Sequence, residues 1–351
     1  MTAQHRLRVR SREGWSNDKP EVETLLSEPR TASFEEIPVL DLGLAASDEG
    51  LRDLAAQLRA AALGLGFFYV KNHGASLAEQ LGAFDAARRY FALPLDERMR
   101  CPMDILTRRG FMPMFSAKVG ENMPDLKESF DMGYDLPADD PAVLAGMFMH
   151  GPNLWPEGQP WLKEVMGVYI DRIMGTSRTL LHILALSLDV GEDFFLRHFN
   201  KPVMHTRLFH YPPQPESTSD MEFGVAPHTD HGLLTILDQD EVGGLEVMTR
   251  QGEWVGAPYI EGTLIVNFGN LLKRWTNDLY VSNWHRVINR SGRDRYSIPT
   301  FLNLDNDAPV ACIPSCLKPG EEPLYPASTS GRIVEAGLRR DEAKLEREAA
   351  S

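Results

Sequence analysis

The chain has 351 residues, 43% of them hydrophobic and 25% charged, which is the balance of a globular protein with material for a substantial core. A formal charge of −14 opposes contact with phosphate backbones, so nucleic acid is not an expected partner. Three cysteines, Cys101, Cys312 and Cys316, make no disulfide framework, and the longest apolar run, 60–70, falls short of the roughly 18 residues of a membrane span. With no apolar segment at the N-terminus either, the expectation is a cytoplasmic protein without a membrane partner.

Residues 1–35 are polar and aperiodic and read as a flexible arm. Order begins with a strand-like stretch at 37–42. Leu51, Leu54, Leu58, Ala61, Ala62 and Leu65 fall at helical spacing, and the aromatic run 66–70 reads as a buried strand closed by Asn72-His73-Gly74. A second helix is predicted from Leu77 to Phe91, and a long central one from Trp161 to Leu188, after an irregular stretch at 100–160. From about residue 203 short β-branched runs alternate with turn signals such as Pro212-Pro213, Gly243-Gly244 and Ser291-Gly292, the cadence of a sandwich or barrel. A charged amphipathic helix is predicted at 334–349. The fold class is therefore α+β, with an arm (1–35), a mainly helical region (36–200) lying on the outside of a β barrel (201–330), and a C-terminal helix (331–351).

His228-Thr229-Asp230 is a weak signal as a bare triplet, but its setting adds weight. On a strand, residues i and i+2 share a face, so His228 and Asp230 can reach one ion side by side, ahead of the strand-forming run Leu233-Leu234-Thr235-Ile236-Leu237. A third ligand is available in His285, far enough along for several strands to bring it back. Two imidazoles and one carboxylate on one face leave three positions open, the donor set of non-haem Fe(II) handling O2. Ten residues further on, Arg295 and Ser297 share a strand face and form a clamp for a carboxylate. The residues alone therefore point to an iron site beside a pocket for a small acid.

Pro227-His228-Thr229-Asp230-His231-Gly232-Leu233-Leu234-Thr235 resembles the signature of the Fe(II)/2-oxoglutarate-dependent dioxygenases, in the branch similar to isopenicillin N synthase and the flavonoid and gibberellin oxygenases. Gly66-Phe67-Phe68-Tyr69-Val70, Tyr211-Pro212-Pro213, Gly243-Gly244-Leu245-Glu246 and Arg295-Tyr296-Ser297-Ile298-Pro299 match in order, over about residues 36–330. The resemblance implies a double-stranded β-helix (jelly-roll) core with flanking helices, Fe(II) on His228, Asp230 and His285, and 2-oxoglutarate held by Arg295, Ser297 and Tyr211. It further implies hydroxylation or desaturation of a small organic metabolite by O2 through an Fe(IV)-oxo intermediate, with release of succinate and CO2. Two positions depart from the family's plant members: Phe209 stands where many carry Asn, and Asn270 where many carry Asp.

For the substrate pocket the candidates are Phe209, Phe301, Ser129, Asp131 and Met114, the last in a Met-rich loop suited to a lid. His73, His205 and His210 read as structural residues, His210 with a lesser claim to the pocket. Three other functions compete. One is a same-fold iron oxidase that uses no 2-oxoglutarate and gives Arg295 to the substrate's own carboxylate. The others are a non-catalytic jelly-roll binding protein and a zinc hydrolase, the latter lacking an evident general base. The C-terminal helix has two open roles, closing the pocket or packing on a neighbouring chain.

Overall fold

The computed structural model describes residues 20, 27–33, 35–116, 125–213 and 223–349, with side chains to residue 340. Two sheets face one another. The larger is built from β2 (Val39–Asp41), β3 (Phe67–Lys71), β4 (Gly110–Met112), β5 (Glu128–Gly133), β6 (Pro202–Tyr211), β8 (Leu234–Gln239), β11 (Leu264–Phe268) and β13 (Arg295–Asp305). Their order is β2-β3-β11-β8-β13-β6-β5-β4. The smaller sheet holds β1 (Arg30–Thr31), β7 (Val225–His228), β9 (Leu245–Met248), β10 (Trp254–Gly256) and β12 (His285–Val287), in the order β1-β10-β9-β12-β7.

Each strand of the larger sheet has two occupied faces, so its sequence carries two interleaved patterns. One face meets the smaller sheet across an inner core that includes Phe67, Tyr69, Phe209, Tyr211, Leu237, Leu245, Val247 and Val287. The other face meets the helices. There α1 (Asp48–Leu63), α2 (Leu77–Phe91) and α3 (Pro160–Ser187) bury Leu54, Leu58, Tyr90, Ile173 and Leu180 against Ile236, Val266, Ile298 and Leu302. Each fully buried leucine of this layer contributes about 1.5–3 kcal/mol. Helix α1 starts where the Ser47 hydroxyl accepts from Gly50 N–H, and α2 where Ser76 and Glu79 form a reciprocal capping box. The central helix runs close to its predicted span.

Residues 36–200 do more than lie on the outside of the barrel: β2 and β3 complete one edge of the larger sheet, and β4 and β5 the other. β3 pairs with β11 and β5 with β6, so the boundary drawn at residue 200 cuts through one hydrogen-bonded sheet. Most of the predicted arm lies outside the described residues, but Arg30 and Thr31 pair with Val255 and Gly256. The C-terminal helix, α4 (Ser330–Ala349), starts four residues earlier than its periodicity suggested. Among the described residues no helix is long and apolar enough to cross a membrane.

One ionisable group sits in the helix-facing core. Asp238 of β8 is 2% exposed, and burial pushes its carboxyl up to about 7. Gln80 Nε2 donates to it at 3.0 Å and Tyr169 Oη at 3.4 Å. Gln80 Oε1 is buried without a partner, so a protonated Asp238 has an acceptor on the side chain that donates to it. An unfolded aspartate titrates near 3.9. Between about pH 4 and pH 7 the folded chain therefore holds a proton that the unfolded chain has lost, and stability falls as pH rises through that window. Asp238→Asn is expected to melt higher than wild type at pH 8, by on the order of a few kcal/mol, and to gain much less at pH 5. Thermal melts at the two pH values check this; a variant that melts lower at both places a charged, satisfied carboxylate at 238.

Candidate metal centre and its cavity

β7 and β12 lie side by side in the smaller sheet, and their register sets His285 directly opposite His228. The two imidazole rings are 4.1 Å apart between centroids. Asp230 follows two residues beyond the end of β7 and turns Oδ1 toward both: 3.5 Å from His228 Nε2 and 3.6 Å from His285 Nε2. One ligand atom from each residue lies within 4.8 Å of the others, the only such grouping of candidate metal ligands among the described residues.

Backbone and neighbours fix which atoms face the ion. His228 Nδ1 lies 2.9 Å from the Ala226 carbonyl and His285 Nδ1 3.1 Å from that of Asn283. A carbonyl only accepts, so each Nδ1 carries the proton and each Nε2 offers a lone pair. Asp230 Oδ2 accepts from Thr235 Oγ1 at 2.5 Å and Asn267 Nδ2 at 2.8 Å, leaving Oδ1 for the centre. Burial by itself would raise the Asp230 carboxyl, but His285, His228 and Thr235 outweigh it and hold the group well below the usual carboxylate range. Burial and the neighbouring His228 push His285 down to about 4, so it stays a neutral donor.

The loop between the first two ligands is braced from β11's C-terminal end. Asn270 N–H donates to the Asp230 carbonyl at 2.7 Å, and its side chain donates to Thr229 Oγ1 at 3.0 Å. Gly269 has no room for a side chain, since a Cβ there would lie 2.2 Å from the Gly232 carbonyl oxygen. The sequence departure at Asn270 thus falls on a residue that supports the ligand loop.

The triad opens into a cavity of about 220 Å³ between the two sheets. Arg295 lies on its wall, wholly buried, where β13 pairs with β6 and Arg295 stands opposite Tyr211. Its Nε donates to the Gly243 carbonyl and its Nη1 to Ser297 Oγ at 3.2 Å, while the guanidinium lies 4.6 Å from the Tyr211 ring centre. Nη2 is buried and has no protein partner. A buried guanidinium with an open donor, a hydroxyl beside it and two imidazoles with a carboxylate in the same cavity fit a chelating keto-dicarboxylate together with a divalent ion. Gly243 and Gly244, at φ of 71° and 86°, make the turn that brings the carbonyl to Nε, and a Cβ at Gly244 would lie 2.6 Å from the Ile288 carbonyl oxygen.

Phe209 and Phe301 line this cavity, as do Leu237, Leu245 and Asn303. Ser129, Asp131 and Met114 do not. Ser129 and Asp131 point toward the cavity side of β5, but Arg207 of β6 covers them: its Nη2 donates to Ser129 Oγ and its Nε to Asp131 Oδ1, both at 3.0 Å. A buried carboxylate takes the nearest cation, so Asp131 holds Arg207 rather than facing a ligand. Met114 is half-buried outside the lining, and Phe115 beside it is exposed.

Sequence reasoning missed His205, Arg207 and Lys127, all of which line the cavity. Strand alternation carried the signal, since 205 and 207 share a face with 209 and 211. His210 takes the opposite face, between Glu128 and Asp294. The C-terminal helix closes the cavity from one side with Val334 and Leu338, and Gly337 allows it to approach the His231 ring, which a Cβ at that position would meet at 2.7 Å.

Comparison with known proteins agrees. Residues 37–158 match the family described as the non-haem dioxygenase in morphine synthesis N-terminal domain, and residues 202–304 match the 2OG-Fe(II) oxygenase superfamily. The 2-oxoglutarate-Fe(II) type oxidoreductase hxnY of Emericella nidulans is 36% identical over 319 residues, 88% of this chain and 91% of that protein. A full-length Neurospora crassa protein solved in complex with alpha-KG superposes with a TM-score of 0.78 at 26% identity, covering 91% of this chain and 100% of that one. The dioxygenase for auxin oxidation of rice gives 0.69 at 28%, covering 87% and 96%. The chain belongs to the 2OG-Fe(II) oxygenase superfamily and is a 2-oxoglutarate-dependent oxygenase of small molecules, with the jelly-roll fold, Fe(II), 2-oxoglutarate and O2 that this entails.

Proposed function

We propose that His228, Asp230 and His285 hold the Fe(II), that Arg295 and Ser297 take the distal carboxylate of 2-oxoglutarate beside Tyr211, and that the chain hydroxylates or desaturates a small organic metabolite. The observation that carries this reading is the open, buried Nη2 of Arg295 on the wall of the cavity that the triad enters. With iron, 2-oxoglutarate and O2 bound, the centre supplies an oxidant that removes hydrogen from a substrate carbon while the cosubstrate becomes succinate and CO2.

The protein's own side chains do the rest. Arg295, fixed by Gly243, Ser297 and the Tyr211 ring, orients the cosubstrate before it reaches the metal. Thr235 and Asn267 hold Asp230 to a single coordinating oxygen. Leu237, Leu245, Val334 and Leu338 keep water from the reacting carbon. The rice neighbour is named for the oxidation of auxin, which supports a small organic substrate for this chain.

Anaerobic addition of Fe(II) and then 2-oxoglutarate is expected to give the weak visible charge-transfer band of a chelated keto-acid. In Arg295→Ala the band should require about 10- to 100-fold more 2-oxoglutarate and then recover, because one charged hydrogen-bond pair is lost and the triad is not. Iron that binds without any band transfers the clamp to the substrate and makes the chain an oxidase that uses no 2-oxoglutarate. His285→Ala is expected to lose bound iron by metal analysis.

The closing helix yields a separate test. Val334→Ala with Leu338→Ala opens the cavity to water while leaving triad and clamp untouched. Succinate release in the absence of added substrate should rise several-fold, with the anaerobic band unchanged.

A further inference from the structure

Along β6 from the Tyr211 end, the cavity wall carries a second set of charges that the cosubstrate clamp does not use. Arg207 is four residues from Tyr211, about 13 Å along an extended strand. Its Nε and Nη2 are committed to Asp131 and Ser129, which leaves Nη1 as the remaining donor edge. Lys127, entering β5, is 5% exposed and pairs with the buried Asp125. Both cations meet at one ring: Lys127 Nζ lies 5.2 Å and Arg207 Cζ 4.6 Å from the centre of Phe209.

Behind this wall is a third cation. Arg109 is fully buried and donates to the carbonyls of Thr107 and Met149, at 2.5 and 3.2 Å, with no carboxylate in its hydrogen-bond set. Burial pushes it down to about 10, against the pull of Asp131 and of Asp135 and Asp104, which lie exposed to water. His205 adds no charge, since burial pushes it down to about 4 despite Asp131 at 3.2 Å. Among the described residues, the fully buried and nearly buried charges of this wall are three cations, Arg109, Lys127 and Arg207, and two carboxylates, Asp125 and Asp131, with the half-buried Arg108 also in the cavity lining. The clamp half needs no such excess: divalent iron with Arg295 balances Asp230 with doubly charged 2-oxoglutarate. A surplus buried positive charge is costly unless a ligand brings the opposite one.

Resting on the oxygenase reading above, we propose that Arg207 and Lys127, over the Phe209 ring, form a subsite for the carboxylate of a small organic acid, and that this enzyme's substrate is a monocarboxylate. A single surplus charge matches one carboxylate rather than a phosphate dianion. Phe209, Phe301, Leu237 and Leu245 supply an apolar channel for its body, and the acid group at Arg207 leaves the far carbon to face the triad. Phe209, a departure from the plant members, is the platform on which both cations rest.

The test uses the full chain loaded with Mn(II) and N-oxalylglycine, so that the Arg295 clamp is filled before any probe is added. Thermal melts then compare benzoate, phenylacetate and cinnamate with benzamide, phenylacetamide and cinnamamide. The acids are expected to stabilise the protein with apparent affinities roughly tenfold above those of their amides. That preference should vanish in the double variant Arg207→Gln with Asp131→Asn, which removes the guanidinium that takes the carboxylate together with its ion-pair partner and leaves the net charge of the wall as it was. The N-oxalylglycine shift serves as the control that the variant is folded. Arg207→Lys, keeping the charge without the fork, is expected to retain part of the preference.

Equal stabilisation by acids and amides overturns the proposal, as does an acid preference that survives in the double variant. Failure of N-oxalylglycine to stabilise the wild type would count against the oxygenase reading instead, and the difference in acid preference between wild type and double variant, both with Arg295 intact, then tests the subsite.

Discussion

The pairing of β7 with β12 is the constraint on which the metal centre depends. Because side chains alternate along a strand, a slip of one residue would turn His285 away from the cavity and bring Arg286 or Trp284 in its place. The register is held from both sides of β12, with His285 against His228 of β7 on one edge and against Val247 of β9 on the other. Arg286, on the outward face, is fully buried and paired with Glu246, its guanidinium 4.2 Å from the Trp254 ring centre. A slipped register would carry that guanidinium into the iron site and leave Glu246 only the more exposed Arg290 as a partner, an exchange costing several kcal/mol. Ligand geometry and buried ion pair therefore specify the same alignment.

The larger sheet separates chemistry from support by the same alternation. On β8, Thr235 and Leu237 face the cavity, while Leu234, Ile236 and Asp238 face the helices. On β6 and β13, Thr206 and Thr300 bond each other at 2.9 Å across the pair, on the opposite face from Arg207 and Phe301. The helical layer thus does no chemistry. It covers the face that would otherwise be wet, and so permits a sheet rigid enough to hold Arg295 and the Asp230 braces in place.

Much of this was legible in the chain. The period-two spacing of His228 with Asp230, and of Arg295 with Ser297, placed each pair on one face, His285 was available along the chain as the third ligand, and the family resemblance supplied the jelly roll. The strands of residues 36–200 were harder: β2, β4 and β5 are three to six residues long and acquire meaning only from partners about 20 to 80 residues away. On β6, Met204-His205-Thr206-Arg207-Leu208 is polar and apolar on both faces by turns, because one face serves a polar cavity and the other meets the sheet's own threonines and the helices. Composition could not choose the parity; Tyr211, once placed, does. Ser129 and Asp131 had the right face and the wrong neighbour, since which cation covers a buried carboxylate is decided by the strand that comes to lie beside it.

The chain's charge acquires a different meaning once the cavity is known. A net charge of −14 repels an anionic cosubstrate at long range, yet that field is screened within about 8 Å at physiological ionic strength. Inside the barrel the guanidinium of Arg295 is shielded from water, where the effective dielectric is low and each charged hydrogen bond is worth more than at the surface. Exterior charge therefore governs encounter, and the few buried cations govern what stays. An acidic protein can hold a dicarboxylate because its positive charges are concentrated where solvent cannot weaken them.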